Sequence, residues 1–265
     1  FSWSVILFLL SSSSSSFFLS SFFLLSFSFS FLFQTPLMGA AAVGHVDTVR
    51  LLLEHGADAC AAAMNFWTPL WVAVTYGQLD AARALLQAGA VVDAGSMQGQ
   101  TPLMIACIHN RSALVQLLLD AGANVHARDM RGMTPLLLAA VHGSTSVATL
   151  LLHAGADVNA LDHTWRDTTL AHAAEGGHSE FVHLLLSHGA DPDVVCAFDE
   201  TAAQRARRFG FPETAELLLA FTRRQRILAL IMAARRHRRL DPVCYPRLPA
   251  TLWHYVLTEF LHSEH

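Results

Sequence analysis

No lysine occurs anywhere in the chain. All 17 basic residues are arginine, they are outnumbered by 21 acidic ones for a formal net charge of −4, and charged residues make up only 14% of the sequence. That balance excludes a nucleic-acid binder held by overall positive charge, and it reserves cations for places where a planar guanidinium is useful. Cysteine is equally scarce. Cys60, Cys107, Cys196 and Cys244 lie far apart with no Cys-x-x-Cys pair, which excludes a disulfide-stapled scaffold and fits a reducing compartment, the cytoplasm or the nucleus. Catalytic groupings are missing too. There is no His-Glu-x-x-His, no Cys and His set at zinc spacing and no glycine-rich phosphate loop, so no catalytic residue, metal or cofactor is expected. Cys244, His254 and His262 share the C-terminal part of the chain without any ligand pattern. What remains is a chain that is 53% hydrophobic, rich in the helix formers Ala and Leu and long enough to bury a core.

Residues 1–34 stand apart. Between Leu7 and Phe33 only Ser, Phe and Leu occur, including the run Ser11 to Ser16. Those three residues are what an all-pyrimidine nucleotide tract encodes, proline excepted, and the expectation is a non-coding tract carried into the translation. The alternative is a membrane-tethering helix over Phe17 to Phe33, close to the roughly 18 residues a span needs. Its five serines and its lack of flanking charge count against that.

From residue 35 the chain repeats itself. Thr-Pro-Leu recurs every 33 residues at Thr35, Thr68, Thr101 and Thr134, and the variant Thr168-Thr169-Leu170 follows one residue late. A Gly-Ala pair keeps step at Gly56, Gly89, Gly122, Gly155 and Gly189, so one residue has been inserted between Gly155 and Thr168. Each unit predicts two short helices. Thr-Pro opens the first, the hydroxyl capping free N–H groups and Pro standing where no N–H is needed. Gly44, Gly77, Asn110, Gly143 or Gly177 ends it in a left-handed conformation. A leucine cluster such as Leu117 to Leu119 marks the second helix. One unit cannot bury that cluster alone, so stability has to come from stacking.

Thr-Pro-Leu-x-x-Ala-Ala, Gly-His, Leu-Leu-Leu and Gly-Ala-Asp-Val-Asn-Ala together resemble the ankyrin repeat, over residues 35–220 with five full copies and a degenerate sixth, capping copy. The fold implied is an all-α ankyrin-repeat solenoid of helix-turn-helix units with short hairpin fingers. The position after Thr-Pro-Leu, His in the family, reads Met38, Trp71, Met104, Leu137 and Ala171. In the sixth copy Arg205, Arg207 and Arg208 suit a polar outer surface.

The resemblance implies that protein partners dock on the concave face made by fingers and first helices. Carried over position by position, the partner-binding residues are Met64, Asn65, Trp67, Trp71, Tyr76, Met97, Gln98, Met104, His109, Met130, Arg131, Met133 and Trp165. Aromatics, Met and Arg favour interface centres. For Trp71 and Met104 a second reading stays open, in which they fill the space left by the missing His inside the core.

Residues 221–265 form a basic helical tail. Its segment Leu248, Pro249, Leu252, Trp253, Val256, Leu257 and Phe260 resembles the opening of an F-box, which binds the Skp1 adaptor. Leu228, Ile231 and Met232 with Arg235, Arg236, Leu248 and Pro249 are similar to a SOCS box, which recruits elongin B and C. Either implies the substrate-recognition subunit of a cullin-RING ubiquitin ligase. The remaining readings are a scaffold or inhibitory ankyrin protein without an adaptor, whose last helix covers the end of the stack, and a membrane-tethered one if residues 1–34 are genuine.

Overall fold

A computed structural model describes residues 35–196 and 199–237. The Ser/Phe/Leu segment, Cys244 and the adaptor-type residues Leu248 to Phe260 lie outside the described residues. Among those described, twelve helices follow in pairs. They are α1 (Pro36–Val43), α2 (Val46–Glu54), α3 (Pro69–Tyr76), α4 (Leu79–Gln87), α5 (Pro102–Ile108), α6 (Ser112–Asp120), α7 (Pro135–Val141), α8 (Thr145–His153), α9 (Thr169–Glu175), α10 (Ser179–Ser187), α11 (Ala202–Arg208) and α12 (Pro212–His237). Strand pairing among the described residues is limited to the isolated bridges Leu161–Thr168 and Val195–Thr201. No helix among them is long and apolar enough to cross a membrane.

The chemistry that starts and stops each pair is local. The hydroxyls of Thr35, Thr68, Thr101, Thr134, Thr168 and Thr201 accept from the backbone N–H three residues on, at 3.1 to 3.4 Å. At Thr201 the cap is reciprocal, Gln204 Oε1 accepting the Thr201 N–H at 2.8 Å. The first helices then end where a positive φ is required, and Asn110 takes the glycine position with φ 51°.

Stacking joins the pairs. The first helices are lined with Ala and Leu and buried almost throughout, α3 packing on α1 and α5, α9 on α7 and α11. Second helices bury a single stripe, as Leu114, Val115 and Leu118 do in α6. Each fully buried leucine contributes about 1.5–3 kcal/mol by leaving water. Side chains at the start of the second helices add a bond between repeats. Gln78 Nε2 donates to Ala42 O at 3.1 Å, Ser144 Oγ to Cys107 O at 3.4 Å, Arg111 to Val74 O, and His178 Nε2 meets Val141 O at 3.4 Å. One periodic contact thus reaches from each of these second helices to a carbonyl at the C-terminal end of the preceding repeat's first helix.

Two features of the sixth repeat depart from the sequence reading. Its second helix does not stop near residue 220 but continues to His237 as one 26-residue helix, α12, because neither Gly nor Pro interrupts residues 213–237. Arg205, expected on a polar outer surface, is only 4% exposed. It points into the stack, pairs with Asp167 and lies 3.5 Å from Glu175, since a guanidinium buried between repeats needs carboxylates to replace water.

Candidate functional site

Between repeats the chain folds into a finger that turns within three residues. Phe66 N–H donates to Ala63 O and Ala63 N–H to Trp67 O, both at 2.9 Å, and the fingers at Ser96–Gln100 and Asp129–Met133 repeat the pattern. Such a turn needs a left-handed residue at its third position. Gly99 and Gly132 supply it with φ 76° each, whereas the first finger uses Phe66 at φ 61° and the fourth Arg166 at φ 55°. Neighbouring fingers are tied edge to edge. Met97 N–H donates to Asn65 O at 3.0 Å, Met130 N–H to Gln98 O at 3.0 Å, and His163 N–H to Arg131 O at 2.9 Å. The tips are therefore held in register, one step per repeat.

That register decides which expected partner-binding residues meet solvent. Met64, Met97 and Met130 occupy equivalent tip positions and are 81%, 50% and 75% exposed. Asn65, Gln98 and Arg131 follow them and are exposed as well. Trp165, on the fourth tip, is exposed, with its N–H donating to Asp162 Oδ1 at 2.8 Å. A second exposed row runs along the ends of the first helices, through Tyr76, His109 and His142. At His109, burial first, then the positive charge of Arg111 and the neighbouring His142, pull the imidazole below its ordinary value.

Four of the expected residues are withdrawn from a partner: Met104, Met133 and Trp71 are buried and Trp67 is half-buried. Met104 has no exposed surface, and it forms with Met133, Leu137, Leu138 and Ala160 a small core beneath the fingers. Trp71 is buried at the base of the first finger, where its Nε1–H donates to Gln100 O at 3.2 Å. Of its two open readings, filling the space of the missing His is the one the packing supports, and the same holds for Met104. Trp67 is half-buried because it stacks on Trp71, with ring centroids 4.8 Å apart and planes 7° from parallel. Fingers project into solvent at their tips only. At their bases the next first helix covers them.

The inserted residue in the fourth finger reshapes this face. The Leu161–Thr168 bridge closes a wider loop, and behind it opens a cavity of about 380 Å³ lined by residues that include Met133, Val141, Trp165, Glu175, Arg205 and Phe209. Asp162 sits in its wall and bonds His172 Nε2 at 2.9 Å. Burial pushes the Asp162 carboxyl up, but the Trp165 N–H and His172 outweigh it and hold the group below its ordinary value. Asp162, Asp167 and His172 bring ligand atoms within 4.8 Å of one another. The donor set nonetheless does not fit a cation, because Asp162 is engaged by His172 and Asp167 by the Arg205 guanidinium, which already supplies the positive charge a metal would bring. The burial of Arg205 escaped the sequence reading altogether. Its only legible signal was the pair of acids, Asp167 and Glu175, standing one repeat before it.

Comparison with protein families gives two matches. Residues 19–96 and 91–162 match a model described as ankyrin repeats (3 copies), and residues 170–219 one described as ankyrin repeats (many copies). The first match begins inside the Ser/Phe/Leu segment, and neither model describes an enzyme. No curated protein matches the chain.

Proposed function

The chain belongs to the ankyrin-repeat family and is a protein–protein interaction module, and we propose that its partner docks on the face built from the finger tips and the ends of the first helices. The observation that carries this reading is the row of large apolar side chains at the tips, exposed in register over neighbouring repeats while their counterparts at the finger bases are buried. An exposed series of Met and aromatic side chains is costly in water and is what interface centres use. The partner segment it suits is rich in apolar residues.

The finer role is that of the substrate-recognition subunit of a cullin-RING ubiquitin ligase. Its support is the resemblance of Leu248, Pro249, Leu252, Trp253, Val256, Leu257 and Phe260 to an F-box opening, and of Leu228 to Met232 with the following arginines to a SOCS box. In that role the repeats hold the substrate and the tail holds Skp1 or elongin B and C, the chemistry belonging to the associated enzymes. Co-purification of the intact chain with Skp1 or elongin C, lost on deleting residues 248–265, is the expected result. Retention of neither adaptor by the intact chain assigns it to scaffolding or inhibition instead. The docking face is tested separately by Tyr76→Ala with His109→Ala. Unaltered affinity for a captured partner, with the helical melt intact, removes the first-helix row from the site.

A further inference from the structure

The finger tips carry a geometric specification for what binds them. Met64, Met97 and Met130 stand at the same position of three consecutive fingers, tied to one another by backbone hydrogen bonds of 3.0 Å. Each finger contributes two chain segments about 4.8 Å apart, so equivalent tip side chains recur at about 10 Å and the three methionines span about 20 Å. An α-helix advances 1.5 Å per residue and covers that repeat in about seven residues, returning a side chain to nearly the same face. A β-strand covers it in about three residues, which turns successive side chains to opposite faces. Methionine, unbranched and polarisable, moulds to the knobs of a helix.

Charge adds a direction. Across the tips at residues 64–66, 97–99, 130–132 and 163–166 there is no carboxylate, and the fixed charges are Arg131 and Arg166, both exposed and both toward the C-terminal repeats. Asp129, beneath Arg131, is buried, pairs with the Arg131 guanidinium at 3.3 Å and also accepts from the Arg131 and Met133 N–H groups at 2.9 Å, so Arg131 is already partly compensated and Arg166 carries most of the open charge at this end. At the other end Phe66 is exposed while holding φ 61°, a conformation given to glycine in the two fingers that follow. An aromatic kept in that strained position without burial points to use.

We propose that the finger tips bind an amphipathic helix of at least about 15 residues, lying across the fingers, with apolar residues seven apart on Met64, Met97 and Met130 and acidic residues at the end that meets Arg131 and Arg166. The inference rests on the reading that a protein partner docks on this face and adds the form and charge of the docked segment.

The test selects a phage-displayed library of random 20-residue peptides against the full chain. Enriched peptides are expected to carry apolar residues at seven-residue spacing, with Asp or Glu concentrated toward one end. They should bind the Met64→Ala, Met97→Ala, Met130→Ala variant at least 30-fold more weakly, and that variant should melt as the parent does because the tips bury little. Arg131→Glu with Arg166→Glu should weaken the same peptides and flatten their salt dependence. Proline-containing peptides with apolar residues three apart, the repeat of a polyproline helix, overturn the α-helical assignment. Peptides indifferent to the methionine variant but lost with Tyr76→Ala and His109→Ala overturn the tip row while leaving the docking face standing. Failure to enrich any peptide overturns both.

Discussion

Thr169 occupies the first position of α9, where four sister repeats have Pro36, Pro69, Pro102 and Pro135. Its side chain is fully buried, and its hydroxyl has no hydrogen-bond partner. A buried hydroxyl without a partner costs about 1–3 kcal/mol, and a residue at this position has no intrahelical use for its N–H. Thr169→Pro removes the hydroxyl, loses no helical hydrogen bond and reduces the freedom of the unfolded chain by a further 0.4–1 kcal/mol or so. The expected gain is about 1–3 kcal/mol, once imperfect packing of the ring is allowed for. At about 2–4 °C per kcal/mol for a chain of this size, the midpoint of the helical circular dichroism melt should rise by roughly 2–12 °C. Thr169→Val isolates the first contribution, since it deletes the hydroxyl at nearly constant volume, and it should give most of the gain. A Val variant that melts below the parent shows that the hydroxyl is in fact bonded in solution, and the reasoning then fails.

The buried Arg205–Asp167 pair should be costly to break from one side: Arg205→Ala leaves a buried carboxylate behind and should lower stability by about 3–5 kcal/mol, read as a shift in urea midpoint, with Asp167→Asn in the same chain recovering a large part. Met104→Ala should cost about 2–5 kcal/mol because the side chain is fully buried, whereas Met64→Ala at an open tip should stay within about 0.5 kcal/mol; equal effects of the two in urea unfolding contradict the assignment of one to the core and the other to the surface. Phe66→Gly should raise stability by about 1–2 kcal/mol by relieving the left-handed backbone, and a lowered melting midpoint means the ring is packed rather than displayed. Asp162 has a folded value below its ordinary one, so its contribution is fully present above the ordinary carboxylate range and is lost as pH falls through that range toward the lowered value; Asp162→Asn should flatten that part of a urea-midpoint titration between pH 6 and 3.

The helices, their caps and their ends were legible from residue order alone because each is closed by contacts three or four positions apart: a Thr hydroxyl to an N–H, a Pro at the first turn, a Gly or Asn at the left-handed end. The period, the single inserted residue and the family resemblance follow from the same local units counted along the chain. Accessibility was decided elsewhere. Met97 and Met104 are the same residue seven positions apart, one displayed on a tip and the other sealed beneath the next first helix. Trp67 and Trp71 differ likewise, since the second is covered by residues near Gln100. Arg205 reads as surface charge in its own repeat, and only the acids of the preceding repeat draw it inward. In a stack, a side chain's cover comes from a repeat some 33 residues away, so hydrophobicity along one unit tells which residues seek burial, and only the packed neighbours determine which of them find it.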